Sequence, residues 1–230
     1  MRNLLNPDSP AMRFLTRIGY AMFLNALWFF CSIPLVTVGA STTALYSVMQ
    51  KVVRDEEAGI TRSFFRAFRD SFRQATVIWL LLAAFGAFLG FDAYILLHLR
   101  TGSAGAFWTV LTAALAVLAV FWLVELLYVF PLLARFENTT PALMRNAVIT
   151  GFHFLLVTVL VAAVHFVMGY LIIFVYTPLM FLGEGLCALI SAWLMNGIFL
   201  QLEERAMAES GSPGEEHAMA ESGSTGEDLQ

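Results

Sequence analysis

Long apolar runs separated by short polar stretches dominate the chain from residue 14 to residue 202. A helix needs about 20 apolar residues to cross the hydrocarbon core of a bilayer. Four runs have this length, at 14–33, 75–97, 107–131 and 179–202. A fifth run, at 147–174, also has it although it contains His153 and His165. The pattern predicts an all-α protein, a polytopic bundle of transmembrane helices.

The stretch 35–53 is long enough to cross but carries Gly39, Ser41, Thr42, Ser47 and other polar residues. Small residues favour close packing of this stretch against a neighbouring helix, and hydroxyls can bond back to helix carbonyls. We therefore expect it inside the bundle, as a second span that is either short or a re-entrant hairpin closed at Pro34.

The distribution of Lys and Arg favours a crossing by 35–53, because these residues accumulate in short cytoplasmic loops. If it crosses, all basic residues except Arg100 face one side: three before residue 18, six in 51–73, two in 132–146, and Arg205. If it does not, the first two clusters face opposite compartments. We therefore predict six transmembrane helices in the bacterial cytoplasmic membrane, with the N- and C-termini cytoplasmic.

The loop 58–73 predicts an amphipathic cytoplasmic helix with an aromatic side and a cationic side. The aromatic residues are Phe64, Phe65, Phe68 and Phe72, and the cationic residues are Arg62, Arg66, Arg69 and Arg73. Such a helix can lie in the interface, with its rings among acyl chains and its guanidinium groups near lipid phosphates. A cap packed on the cytoplasmic end of the bundle is nearly as well supported.

Composition agrees with the membrane interpretation, since 59% of the residues are hydrophobic, 13% are charged and the mean hydropathy is +0.75. Eight acids crowd the Gly- and Ser-rich stretch after residue 202, and they account for the net charge of −4. We predict a transmembrane helical domain over 1–202 and a disordered acidic cytoplasmic tail over 203–230. No basic surface remains to indicate a nucleic-acid partner.

Glu125 is the most informative single residue, because it lies about 9 Å inside the cytoplasmic end of its helix at 1.5 Å per residue. A carboxylate there is costly unless it is paired. Asn196 lies at a similar depth, Asn25 lies deeper, and Arg17 lies near the cytoplasmic end. We expect Glu125 to bond to Asn196 or Arg17 and fix the packing of the bundle. The alternative is that Glu125 lines a substrate or ion path.

The remaining candidates for chemistry are weak. His153 and His165, placed on one helix, would point about 120° apart, so we expect no shared metal site. Asp92 and Glu184 are predicted near the outer ends of their helices, and the tryptophans are predicted to anchor or face lipid. No catalytic motif appears in the sequence, so we expect a non-enzymatic protein with no cofactor and no metal.

Three blocks of the sequence resemble the YesL-type family of small bacterial membrane proteins, a family of unknown biochemical function. They are NALWFFCSIPLVTVGASTTALYSVMQKV at 25–52, SFFRAFRDSFRQAT at 63–76, and YVFPLLARFEN at 128–138 followed by LMRNA at 143–147. The resemblance implies a polytopic protein whose genes often neighbour carbohydrate uptake and sensing systems. It supplies no catalytic residues.

Two functions follow as hypotheses. The leading one is an accessory or regulatory membrane protein of carbohydrate transport or sensing, whose cytoplasmic face, including the 58–73 helix, engages the lipid bilayer, a sugar permease or a sensor kinase. The alternative is a small transporter or channel with a path near Glu125, Asn25 and Asn196. Broken helices at mid-membrane depth, such as the 39–43 stretch, are typical of such sites.

Overall fold

The computed structural model describes residues 10–56, 59–99 and 105–224, and every regular element in these ranges is helical. The α-helices are α1 (Pro10–Cys31), α2 (Val38–Val53), α3 (Ile60–Leu99), α4 (Ala106–Leu133), α5 (Thr140–His153), α6 (Leu155–Tyr170) and α7 (Met180–Ser224). A 3₁₀ turn (Leu35–Thr37) precedes α2, and a π turn (Leu171–Val175) and a 3₁₀ turn (Thr177–Leu179) join α6 to α7. The predicted all-α fold is confirmed.

Five of the described helical stretches are long and apolar enough to cross a membrane: Met12–Cys31, Ile60–His98, Phe107–Leu133, Leu155–Val175 and Leu182–Glu204. Many of their large side chains are exposed, including Phe91, Leu156 and Phe166. Water would penalise such a surface, whereas lipid covers it at no cost. The chain is therefore a multi-pass membrane protein.

The short α2 is the exception to the predicted six spans. It has 16 residues, which is about 24 Å and less than the ~30 Å of hydrocarbon. It returns along α1, because the Trp28 indole donates to the Thr42 hydroxyl (3.0 Å) and the Arg17 guanidinium reaches Asp55 (2.9 Å). The end of α2 therefore lies at the same end of the molecule as the start of α1.

The position predicted for α2 inside the bundle is confirmed, since most of its residues are buried. Gly39 permits the close approach to α3, because a Cβ there would lie 2.5 Å from the Ala75 carbonyl oxygen and 2.6 Å from the Trp79 Cβ. The hydroxyls of Ser41 and Thr43 donate to carbonyls one turn earlier, at 3.1 and 2.9 Å. Such bonds let polar residues pack in an apolar interior.

The amphipathic segment 58–73 is not a separate helix. Its described part is the first third of α3, which runs unbroken from Ile60 to Leu99. The sequence between Phe72 and Val77 is Arg-Gln-Ala-Thr, with no Gly or Pro to end a helix. The predicted boundary at residue 75 marks a change in polarity and no change in backbone conformation.

The second half of α3 pairs with the first half of α4. The Trp122 indole donates to the Leu82 carbonyl at 2.9 Å, and Gly86 faces the Trp122 ring. The Trp79 indole donates to the Leu35 carbonyl (2.8 Å), so the start of α2 is level with Trp79. About 20 residues of α3 therefore extend past α2, roughly 30 Å of helix.

The predicted span 147–174 is divided by a break at Phe154, whose φ and ψ are −108° and 52°. α5 ends at His153, and the apolar span begins at Leu155, eight residues later than predicted. The Thr158 hydroxyl donates to the Gly151 carbonyl (2.6 Å), which replaces a backbone partner lost at the break. His153 and His165 thus lie on different helices, and the angle predicted between them does not apply.

The structure also differs from the predicted disordered tail. α7 continues through 203–224 to Ser224. Residues 225–230 of that prediction lie outside the described residues.

Candidate functional site

The four residues predicted to form an intramembrane polar site do not converge. Within the described residues, Glu125 on α4 makes no hydrogen bond or ion pair, and it is partly exposed. Arg17 instead donates to the Asp55 carboxylate at 2.9 Å and to the Val53 carbonyl at 3.5 Å. The predicted pairing of Glu125 with Arg17 or Asn196 is wrong, because both candidate partners bind elsewhere.

Asp55 lies outside the membrane-spanning segments, in the turn after α2. The hydrogen bond from Arg17 and the positive charge of its guanidinium hold the pKa of the Asp55 carboxyl below its usual range. This ion pair joins the start of α1 to the end of α2.

Asn25 is fully buried and connects α1 to α7. Its Nδ2 donates to the Met180 carbonyl at 3.2 Å, and its Oδ1 accepts from the Gly185 amide at 2.8 Å. Gly185 leaves no room for a side chain, since a Cβ there would contact the Ala21 carbonyl oxygen and Asn25. Asn25 therefore stabilises the contact between two helices and offers no free polar atom to a path.

Asn196 belongs to a polar cluster around Arg135. Arg135, whose side chain is 3% exposed, donates through Nε and Nη2 to both Glu203 carboxylate oxygens, at 2.7 and 2.9 Å. The Asn196 Oδ1 accepts from Arg135 Nη1 at 3.5 Å, and the guanidinium lies 5.3 Å from the Phe199 ring centre. A bidentate pair of this kind fixes the α4–α5 loop to α7. No periodic pattern in the sequence connects a residue in this loop with residues in the distant helix.

The predicted Phe/Arg surface is divided by the fold. Phe64 is buried in the core and Phe68 is partly buried, whereas Phe65 and Phe72 are 48% and 40% exposed. The described cations of this segment are all exposed: Arg62, Arg66, Arg69 and Arg73. We call these four arginines with Phe65 and Phe72 the basic–aromatic face. The segment combines the two predicted arrangements, because one side packs on the bundle and the other remains available.

The sequence did not predict a cavity of about 490 Å³ inside the bundle, lined by residues of α1, α2, α3, α4, α6 and α7. We call it the aromatic cavity. Its aromatic residues are Trp28, Tyr46, Trp79, Phe130 and Phe166, and its other polar residues are Thr42, His165 and Glu184. Pockets of ~300–1,000 Å³ are the usual size for small-molecule sites. The cavity therefore has the size of a small-molecule site.

Hydrogen bonds fix the polar groups of this cavity. The His165 Nδ1 lies 2.9 Å from the Val161 carbonyl, and its Nε2 lies 3.5 Å from the Tyr46 hydroxyl. A carbonyl can only accept, so Nδ1 carries the proton in a neutral imidazole and Nε2 accepts from Tyr46. Glu184 lines the same cavity as His165.

Comparison with known proteins agrees with the sequence pattern. A family described as "Protein of unknown function, DUF624" matches residues 21–93. Over 203 residues the chain is 25% identical to "Uncharacterized protein YesL" of Bacillus subtilis (strain 168), which covers 86% of this chain and 94% of that protein. The YesL-type resemblance is confirmed. No solved structure matches the chain.

The match to 21–93 covers only part of the aromatic cavity. It includes Trp28, Tyr46 and Trp79, and the whole basic–aromatic face, but neither His165 nor Glu184. From the sequence, Glu184 was expected near the outer end of its helix, and Trp28 and Trp79 were expected to anchor or face lipid. The sequence shows only that an acid and a histidine lie in two different spans. This pattern does not predict that the two residues line the same cavity.

Proposed function

We propose that this YesL-type chain is a non-enzymatic protein of the bacterial cytoplasmic membrane, accessory or regulatory to carbohydrate uptake or sensing. The observation that carries the proposal is the basic–aromatic face, which stays exposed while the opposite side of the same helix packs into the core. The carbohydrate connection rests on the family resemblance.

The helix contacts support an orientation with both termini in the cytosol. The Arg17–Asp55 bond holds the start of α1 beside the end of α2, and Gln74 Nε2 donates to the Asn138 carbonyl at 2.8 Å. Three basic regions, 13–17, 51–73 and 132–146, are thereby held at one end of the molecule. Short basic loops stay in the cytoplasm.

The chemistry of the face suits an acidic protein surface beside the membrane. Arginine forms bidentate bonds with carboxylates, and exposed phenylalanine rings add apolar contact area. Anionic lipid attracts the same arginines by about 1 kcal/mol each near the membrane surface. A sugar permease or sensor kinase could therefore dock where the face meets the lipid headgroups.

Co-purification from native membranes tests this function. We expect a permease or sensor kinase, identified by mass spectrometry, to accompany the full chain and to be lost from the double variant Arg66→Glu, Arg69→Glu. Arg145→Glu is the matched control, because Arg145 is exposed on α5 outside the face. Repeated purification of the chain alone, or equal loss in the control, contradicts the proposal.

A small transporter or channel is the second candidate, and the aromatic cavity favours it. We propose that such a path passes Glu184 and not Glu125, because Glu184 lines the aromatic cavity and Glu125 does not. In proteoliposomes, solute flux should be lost in Glu184→Gln and retained in Glu125→Gln. Flux that depends on Glu125 alone would support a path near Glu125, as the sequence suggested.

A further inference from the structure

We propose that the aromatic cavity binds a small organic ammonium ion, held by the Glu184 carboxylate and surrounded by aromatic rings. The inference concerns a ligand and does not depend on the partner proposed above, since a sensor, an accessory protein and a carrier can each bind one.

The charged residues that line the cavity indicate whether it favours a cationic or an anionic ligand. Among the described residues around the cavity, Glu184 is the only acid and none is Lys or Arg. Within the described residues no cation lies within 4 Å of this carboxylate, since His165 forms no ion pair with it. A buried acid without a cation nearby is costly in its charged form and tends to keep its proton, whereas a bound organic cation pairs with the carboxylate. An anionic ligand would find no positive partner there. The cavity therefore favours a cation.

The aromatic residues of the lining favour an organic cation over a metal ion. Trp28, Tyr46, Trp79 and Phe130 line the same space, and the largely exposed Phe166 lies at its edge. Rings within ~6 Å of an ammonium group attract it through their quadrupoles, and such cages are a common way to bind quaternary ammonium ions. A hydrated metal ion would find one carboxylate and no set of oxygen ligands, whereas methyl groups of an ammonium ion fit against rings.

The existing hydrogen bonds argue against a polyhydroxyl ligand. The Trp28 indole donates to Thr42 (3.0 Å), the Trp79 indole donates to the Leu35 carbonyl (2.8 Å), and His165 Nδ1 faces the Val161 carbonyl. The indole and imidazole N–H donors named here are thus occupied, so the oxygen lone pairs of a sugar would find no free N–H partner among them. A quaternary ammonium ion needs no donor from the protein.

Binding of choline to the purified full chain in lipid nanodiscs tests the inference, with intrinsic tryptophan fluorescence as the readout because Trp28 and Trp79 line the cavity. We expect saturable binding of choline, at least about tenfold tighter than that of its neutral isostere 3,3-dimethylbutan-1-ol. Glucose should not compete.

Substitutions distinguish the contribution of the Glu184 charge to choline binding from that of the aromatic rings. Glu184→Gln should weaken choline binding at least about tenfold, and Trp79→Leu should weaken it more than Trp79→Phe, which keeps a ring. Asp92→Asn is the matched control, because Asp92 lines a different cavity, and its affinity should stay at the wild-type value. Thermal unfolding confirms that each variant folds.

Three results would overturn the inference. They are equal affinity of wild-type protein for choline and its neutral isostere, unchanged choline binding in a folded Glu184→Gln variant, and tighter binding of glucose than of choline. The first and third need no variant, so the test remains decisive if Glu184→Gln fails to fold.

Discussion

At the residue scale, two polar contacts determine how the helices are tied together. Asn25 satisfies a carbonyl and an amide of α7 inside the bundle, whereas Arg17 pairs with Asp55 at its exposed end. The buried contact has no water to replace it, and the exposed one is screened by solvent. Their contributions to stability and to titration should therefore differ.

Replacing Asn25 by Leu should destabilise the fold by about 1–2 kcal/mol, because the Met180 carbonyl and the Gly185 amide lose their partner. Thermal or denaturant unfolding of the purified protein in detergent measures the change. Thr112→Val is a suitable control, since the exposed Thr112 hydroxyl donates only within its own helix, to the Trp108 carbonyl. Equal loss in both variants would contradict the role given to Asn25.

Replacing Arg17 by Gln should raise the pKa of Asp55 toward its ordinary value, as measured by carbon NMR of the carboxyl group. A lowered folded-state pKa means that Asp55 stabilises the fold above the unfolded pKa of ~3.9, and that this contribution disappears as the pH falls through the folded pKa. The acid-side loss of stability should be smaller in Arg17→Gln. Arg13→Gln should shift the Asp55 pKa less, because Arg13 acts only through charge.

At the element scale, the contact between α2 and α3 depends on Gly39, which has no side chain. Gly39 lies against the backbone of Ala75, which cannot move away as a flexible side chain can. The sequence correctly predicted close packing here from the small residues of 39–44. It could not predict that α3 would be the neighbour, because Ala75 and Trp79 have no local pattern that distinguishes them from other apolar residues.

Gly39→Ala should destabilise the protein by about 1–3 kcal/mol through overpacking. Gly90→Ala on α3 is the matched control, because no atom lies within 4 Å of a Cβ built there. The control should be neutral or slightly stabilising, since Ala favours helix over Gly by about 1 kcal/mol. A melting temperature of Gly39→Ala at or above that of the control would show that the contact is looser than described.

At the scale of the whole molecule, α1 and α2 form an antiparallel pair and α3 runs past them with α4. This arrangement places position 13 and position 61 near one end and Gly105 at the other, because α3 is 40 residues long. The membrane orientation proposed above rests on where the arginines lie.

Labelling with a membrane-impermeant thiol reagent tests this orientation. In a background with Cys31 and Cys187 replaced by Ser, Gly105→Cys should react in intact cells. Arg13→Cys and Thr61→Cys should react only after the inner membrane is permeabilised. Reaction of position 13 and position 61 from opposite sides would contradict the antiparallel placement of α1 and α2 in the membrane.

The apolar runs in the sequence were enough to predict the membrane-crossing helices. Runs of apolar residues define membrane-crossing helices because lipid demands about 20 such residues in each, and this requirement is local to the chain. The same local information predicted that residues 39–44 are buried. It failed where a helix continues through a change of polarity, as in α3 and α7, because polarity sets the environment of a helix and not where its backbone ends.

Only the tertiary structure decided which polar residues meet. Glu125, selected for its depth, has no partner among the described residues, whereas Tyr46, His165 and Glu184 converge from three helices. Depth along a helix is fixed by residue number, but the direction in which a side chain points into a bundle depends on how neighbouring helices rotate and pack. That rotation is set by contacts such as Gly39 with Ala75 and Asn25 with Gly185, which join residues far apart in the chain.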